Sequence, residues 1–242
     1  MIIEIATTDL ETTRAAVEGG ADRFELCAAL SDGGTTPSLG TIQRCRELFT
    51  VELYPIIRPR SGDFLYTEDE FLAMCADIKV CKELGCDGVV IGMLNQQGEI
   101  DKHRVARLIE LAYPLGVTFH RAFDRCVDPF KAMEELIELG CERILTSGQQ
   151  PTAPEGVVLI ALLNEKADGR ISIMPGSGVR VDNIRKLATK TGCQEFHSSL
   201  RSKRNSLMEY KHPAFANSVE SYTNPAINAE EVRALREALI IA

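Results

Sequence analysis

Two histidines, three glutamates and a pair of arginines stand where a strand pattern calls for apolar side chains. Glu4, Glu25, His120, Glu195 and His197 lie inside short apolar runs, and Arg58 and Arg60 close another. Strand residues two apart share a face, so Ile56, Arg58 and Arg60 alternate with Pro55, Ile57 and Pro59. Carboxylates beside imidazoles are the material of general acid–base catalysis near neutral pH. Guanidinium pairs suit bidentate contact with a carboxylate or phosphate. Such groups are costly to bury alone, so they must pair with one another or with a ligand. Arg23, at the start of a run, reads as half of a structural ion pair. Arg58, Arg60, His120 and His197, at the ends of runs, read as functional.

The segments that follow these runs add to the set. His120-Arg121-Ala122-Phe123-Asp124 places Arg121 and Asp124 beside His120, and Arg58-Pro59-Arg60-Ser61-Gly62-Asp63 adds Asp63. Thr146-Ser147-Gly148, Gly176-Ser177-Gly178 and Ser198-Ser199 supply hydroxyls and backbone N–H groups that glycine leaves open to an anion. The expected division of labour has His120 or His197 as the acid/base group. Glu4 or Glu25 would orient the histidine or act as partner acid, with Asp124 a further candidate. Arg58 and Arg60 would clamp a negative group, and Asp63, Arg121, Thr146 and Ser147 would complete the lining. Gly176, Ser177, Gly178, Ser198 and Ser199 would hold phosphate.

These residues need a scaffold that brings strand ends together, and the chain repeats one phrase that can build it. A glycine, a small residue, often an acid, then apolar residues recur at Gly20-Ala21-Asp22-Arg23-Phe24, Gly85-Cys86-Asp87-Gly88-Val89 and Gly140-Cys141-Glu142-Arg143-Ile144. A looser copy is Gly192-Cys193-Gln194-Glu195-Phe196. Glycine fits there because helices commonly close through a left-handed residue. Capping boxes are expected at Thr8-Asp9-Leu10-Glu11 and Thr67-Glu68-Asp69-Glu70, and Asn228 should open a last helix. Pro37, Pro129 and Pro154 suit first helical positions.

Strands are expected over 2–5, 23–26, 51–57, 88–92, 117–121, 143–147, 171–175 and 195–198, each followed by a helix. Eight strand–helix units in 242 residues predict a single-domain α/β (β/α)8 TIM barrel. The units fill 1–200, and a loop and closing helix fill 201–242. No glycine-rich dinucleotide fingerprint follows the first strand, where Ala6-Thr7-Thr8-Asp9 stands instead. Arg201-Ser202-Lys203-Arg204 begins a polar stretch that reads as a solvated loop, the alternative being an anion-sensing lid.

Composition narrows the partners. Thirty-five acidic against 27 basic residues give a net charge of -8, which argues against nucleic-acid binding. No apolar run reaches the length of a membrane span, and Met1-Ile2-Ile3-Glu4-Ile5 enters a strand without signal-peptide regions. A cytoplasmic protein is expected. None of the eight cysteines is paired at zinc-knuckle or thioredoxin spacing. Cys86, Cys141 and Cys193, each after a glycine, read as reduced structural thiols.

The chain resembles the CutC copper-homeostasis family. The resemblance is carried by Gly20-Ala21-Asp22-Arg23-Phe24-Glu25-Leu26-Cys27, Gly33-Gly34-Thr35-Thr36-Pro37-Ser38, Ile57-Arg58-Pro59-Arg60-Ser61-Gly62-Asp63-Phe64, Thr118-Phe119-His120-Arg121-Ala122-Phe123-Asp124, Leu145-Thr146-Ser147-Gly148 and Glu195-Phe196-His197-Ser198-Ser199. It implies a cytoplasmic barrel that forms homo-oligomers, often dimers, and is linked to copper, with Cys27 as the candidate thiolate ligand. Copper(I) prefers two or three converging sulfur ligands. The shared Arg, His, Glu, Asp, Ser and Gly residues suit an organic or phosphate-bearing anion better. Three readings follow: a copper-binding protein, a hydrolase, lyase or isomerase acting on a small anionic metabolite, or a non-catalytic binding or scaffold protein.

Overall fold

Gly20, Gly85, Gly140 and Gly192 adopt φ values of 89°, 72°, 81° and 70°, the left-handed region that lets a helix turn directly into the next strand. The acid of the repeated phrase completes the junction. Asp22 Oδ2 accepts the N–H of Ile3 and Asp87 Oδ2 that of Leu53, each tying an incoming strand to its neighbour. The computed structural model describes residues 1–215 and 222–240.

Eight parallel strands result: β1 (Ile2–Thr7), β2 (Arg23–Leu26), β3 (Glu52–Pro55), β4 (Gly88–Ile91), β5 (Gly116–Phe119), β6 (Arg143–Thr146), β7 (Ser172–Pro175) and β8 (Glu195–Ser198). The intervening helices are α1 (Leu10–Glu18), α2 (Leu39–Leu48), α3 (Glu68–Glu83), α4 (Lys102–Ala112), α5 (Pro129–Glu138), α6 (Val157–Ala167) and α7 (Ile184–Thr191), with α8 (Ala229–Ile240) following β8. Hydrogen bonds order the strands as β3-β2-β1-β8 and β4-β5-β6-β7. The two halves meet where Ile56 bridges Val90, and β7 packs against β8 on the other side. This is the (β/α)8 barrel that the strand count predicts.

The details correct several expected boundaries. The third strand ends at Pro55, earlier than position 57, because Ile56 makes only an isolated bridge. Asp9, rather than Thr8, caps α1, and its box closes with Thr12. Thr67 and Glu70 form the expected box on α3, and Pro129 opens α5 behind Asp128. Pro37 and Pro154 precede the caps Ser38 and Gly156, so neither is a first helical residue.

The tail carries structure where the sequence predicts a loop. β9 (Ser202–Asn205) and β10 (Thr223–Ala226) form an antiparallel pair, with Ser202 Oγ donating to Ala226 O. Exposed polar residues make up β9, so apolar alternation gives no strand signal there. Residues 216–221 of this segment lie outside the described residues.

Apolar side chains on the outer barrel face, including Ile3, Phe24, Leu53, Val89 and Ile144, pack with the helices in one large core. The inside holds a small apolar cluster of Cys27, Tyr54, Ile56 and Val90. Much of the remaining interior is charged, and that is where the site lies.

Candidate active site at the barrel mouth

The N-terminal end of the barrel is closed by an ion network. Arg23 Nε lies 2.5 Å from Glu4 Oε2 and its Nη2 lies 2.5 Å from Glu195 Oε2. Arg143 Nε meets the same Glu195 oxygen at 2.8 Å. Both guanidinium groups stack on the Tyr54 ring, 5.1 and 5.3 Å from its centroid. Gly88 and Gly116 leave room for Tyr54, since a Cβ at Gly88 would lie 2.1 Å from its ring. Arg23 is therefore structural, as its place at a strand start suggests. Arg143 is its counterpart in the repeated phrase, following Gly140 at the same spacing as Arg23 follows Gly20. That repeat is the signal for Arg143, which reading each strand by itself misses.

Above this floor, Glu4 turns its other oxygen to the active face. His197 Nδ1 lies 2.7 Å from Glu4 Oε1, and His197 Nε2 lies 3.8 Å from Glu25 Oε2. Strand register explains the meeting, because Glu4 pairs with His197 on β8 and Ala6 with Glu25 on β2. Burial alone would raise the Glu4 carboxyl, but Arg23 and His197 outweigh it and hold it at about 2. Burial dominates at Glu25 and lifts it to about 7, against the pull of His197. Burial opposes a charge on His197, yet the bond to Glu4 and the charge of Glu25 raise its pKa. Glu25 and His197 thus face each other beneath the mouth, with Glu4 holding the imidazole through Nδ1.

Arg58 and His120 face the same space. The Arg58 guanidinium donates to the carbonyls of Asp32, Gly34 and Gly62 at 3.2, 2.8 and 2.9 Å. Its Nε has no hydrogen-bond partner, and among the described residues no carboxylate forms an ion pair with it. Phe64 and the Tyr66 hydroxyl are its other neighbours, and the guanidinium has no ion-pair partner among the described residues. His120 Nδ1 accepts the N–H of Ala122 at 3.0 Å, while Nε2 is buried without a partner among the described residues. Burial and then Arg58 push its pKa down to about 3, so the ring is neutral at pH 7. Phe64 packs on the ring at 5.0 Å, and Gly92 opens the other side, where a Cβ would lie 2.1 Å from it. Gly92 carries no motif signal, since its role depends on a neighbouring strand.

These groups line a cavity of about 450 Å³ that includes Glu25, Arg58, His120, Arg121, His197 and Ser198. Ser177, Gly178, Val179, Arg180, Ser199 and Arg201 form one wall, and Glu231 of α8 reaches it. The hydroxyls of Ser177 and Ser198 are committed to the carbonyls of Pro151 and Val179. The backbone N–H groups of Gly178, Val179 and Ser199 have no acceptor among the described residues. Ser177 and Gly178 both have positive φ, 72° and 75°, in the turn that carries the chain from β7 to this wall.

Other expected contacts serve the loops. Arg60 pairs with Asp63 and Glu70 at 2.9 and 2.7 Å, and neither Arg60 nor Asp63 lines this cavity. Asp124 accepts from Thr146 Oγ1, Ser147 and Gln149 and pairs with Arg121, so Asp124, Thr146 and Ser147 clasp two loops instead of a ligand. Gly176 donates its N–H to Thr146 O and leaves space for Leu145, so its amide is not open to an anion. Arg121 remains in the lining although it bonds Asp124 and Ser147.

The donor set does not fit copper(I). Cys27 is buried in the interior apolar cluster, and burial followed by Glu25 pushes its thiol well above the ordinary range. No group of three His, Cys, Asp or Glu residues arranged to hold a metal occurs among the described residues. No described helix is long and apolar enough to cross a membrane.

The family model for CutC matches residues 1–202. A CutC family protein from Chromobacterium violaceum is 49% identical over 241 residues, covering 98% of each chain. One from Parabacteroides distasonis is 55% identical over 212 residues, covering 87% of each. Among solved structures, a CutC protein from Streptococcus agalactiae superposes with a TM-score of 0.79 at 32% identity, covering 82% of this chain and 98% of that one. N-(5'-phosphoribosyl)anthranilate isomerase from Pyrococcus furiosus shares the fold, with a TM-score of 0.60 at 11% identity over the full length of both chains. With its barrel, its strand-end residues and these relatives in agreement, the chain belongs to the CutC family.

Proposed function

We propose that the barrel mouth binds a small phosphorylated or carboxylated metabolite and that Glu25 and His197 exchange protons with it. The carrying observation is Arg58, a buried guanidinium that lines the cavity with no ion-pair partner among the described residues. A ligand anion supplies the missing charge, and the N–H groups of Gly178, Val179 and Ser199 receive its outer oxygens. Arg121, Arg180 and Arg201 steer it inward from the rim. Eight free cysteines, with Cys75 alone incompletely buried, support a reducing cytoplasmic setting. The homodimer implied by the family resemblance has one supporting feature, the exposed Leu207, Met208 and Tyr210 next to β9.

The copper reading finds less support, because Cys27 is a buried neutral thiol without a converging sulfur set. Calorimetric titration with inorganic phosphate tests the proposal. Saturable binding that Arg58→Met removes supports it; equal heats from both proteins contradict it.

A further inference from the structure

We infer that the anionic ligand carries a carbonyl group, and that His120 donates its Nε2–H to the carbonyl oxygen while Glu25 moves the proton on the adjacent carbon. This rests on the anion-binding reading of the same site and goes further by naming the substrate class. Ala122 N–H donates to His120 Nδ1, so that nitrogen holds a lone pair and the ring's single proton sits on Nε2. Nε2 is buried and unpartnered in a residue that lines the cavity. An unmet N–H in such a place is costly unless a ligand acceptor meets it. Phe64 packs against the ring, and Gly92 leaves the space that the ring occupies.

Phosphate oxygens are better met by the Arg58 guanidinium and the unbonded amides of Gly178, Val179 and Ser199, which leaves His120 for an uncharged oxygen. A carbonyl provides one, and a neutral imidazole can stabilise the enolate that grows from it. In the step, the Glu25 carboxylate takes a proton from the carbon beside the carbonyl. The C–H electron pair forms a carbon–carbon double bond, and the carbonyl π pair moves to oxygen. Where that carbon also carries a hydroxyl group, its O–H proton passes to the enolate oxygen and the freed oxygen forms the new carbonyl. Glu25 returns its proton to the former carbonyl carbon, which completes an isomerisation without an oxidant or reductant. Burial holds Glu25 at about 7, which suits it to give and take that proton.

Hydroxyacetone phosphate and propyl phosphate, which differ in the carbonyl, separate this inference from the one beneath it. The wild type should bind the ketone about tenfold more tightly, the equivalent of one good hydrogen bond. His120→Ala should erase that preference while retaining affinity for propyl phosphate, and His120→Gln should restore part of it. Equal affinity of the wild type for both compounds overturns the carbonyl inference and leaves the anion site standing. Failure to bind either compound or inorganic phosphate overturns both. Nitrogen-15 NMR of wild-type His120 needs no variant: a proton on Nε2 at pH 7 is expected, and a proton on Nδ1 or a charged ring contradicts the inference.

Discussion

His197 Nδ1 lies 2.7 Å from one oxygen of Glu4, whose other oxygen lies 2.5 Å from Arg23 Nε. A single carboxylate therefore joins the barrel's structural floor to its reactive face. Glu4→Gln should weaken both, since Arg23 then keeps only part of its counter-charge. Breaking a buried ion pair on one side costs about 3–5 kcal/mol, which denaturant unfolding at pH 7 would detect. A loss near zero would mean that Glu195 alone neutralises Arg23.

The two glutamates facing His197 impose opposite pH dependences. Glu25 is raised from 4.5 to about 7, so the folded state binds the extra proton between those values. Its contribution to stability is full below pH 4.5 and is lost as pH rises through about 7. Glu4 is lowered from 4.5 to about 2, so its contribution is present above pH 4.5 and lost as pH falls through about 2. In unfolding curves recorded across the interval from pH 4.5 to about 7, Glu25→Gln should flatten the decline. An unchanged slope would show that Glu25 titrates as it does in the unfolded chain.

Gly92 is needed for the space it leaves. Gly92→Ala would bring a Cβ within 2.1 Å of the His120 ring, which must move. Overpacking of this kind costs about 1–3 kcal/mol. Thermal unfolding should show that loss, and the preference for a carbonyl-bearing phosphate should fall with it. Retention of both would mean that the ring shifts without consequence.

Cys27→Ser should leave copper(I) behaviour nearly unaltered. The thiol is buried and held in its neutral form, and no three-residue donor group surrounds it among the described residues. Titration of the reduced protein against a competing chelator should give no stoichiometric site in either form. A tight site present in the wild type and absent in the variant would reinstate Cys27 as a ligand.

Fold and site are unequally legible in the sequence. The repeated glycine-and-acid phrase marks strand starts because each glycine turns left-handed and Asp22 and Asp87 each bond a neighbouring strand. Those are local rules, and they mark the starts of β2, β4, β6 and β8, while the other four strands are read from their apolar runs. Arg58, His197 and Glu25 stand out as polar residues in apolar runs. Arg60 and Asp124 look equivalent to them, since sequence shows a side chain's type but not its partner. Asp63 and Glu70 take up Arg60, and the hydroxyls and amides of the next loop take up Asp124. The neutrality of His120 is also hidden, because it follows from burial, Arg58 and the Ala122 amide.

Every functional role proposed for the barrel mouth depends on an anion completing its charge. Backbone and arginine side-chain NMR during titration with inorganic phosphate tests this at the atoms concerned. Saturable shifts of the Gly178, Val179 and Ser199 amides are predicted, together with a shift of Arg58 Nε–H. Shifts confined to surface lysines, with those four groups unmoved at saturation, would contradict it.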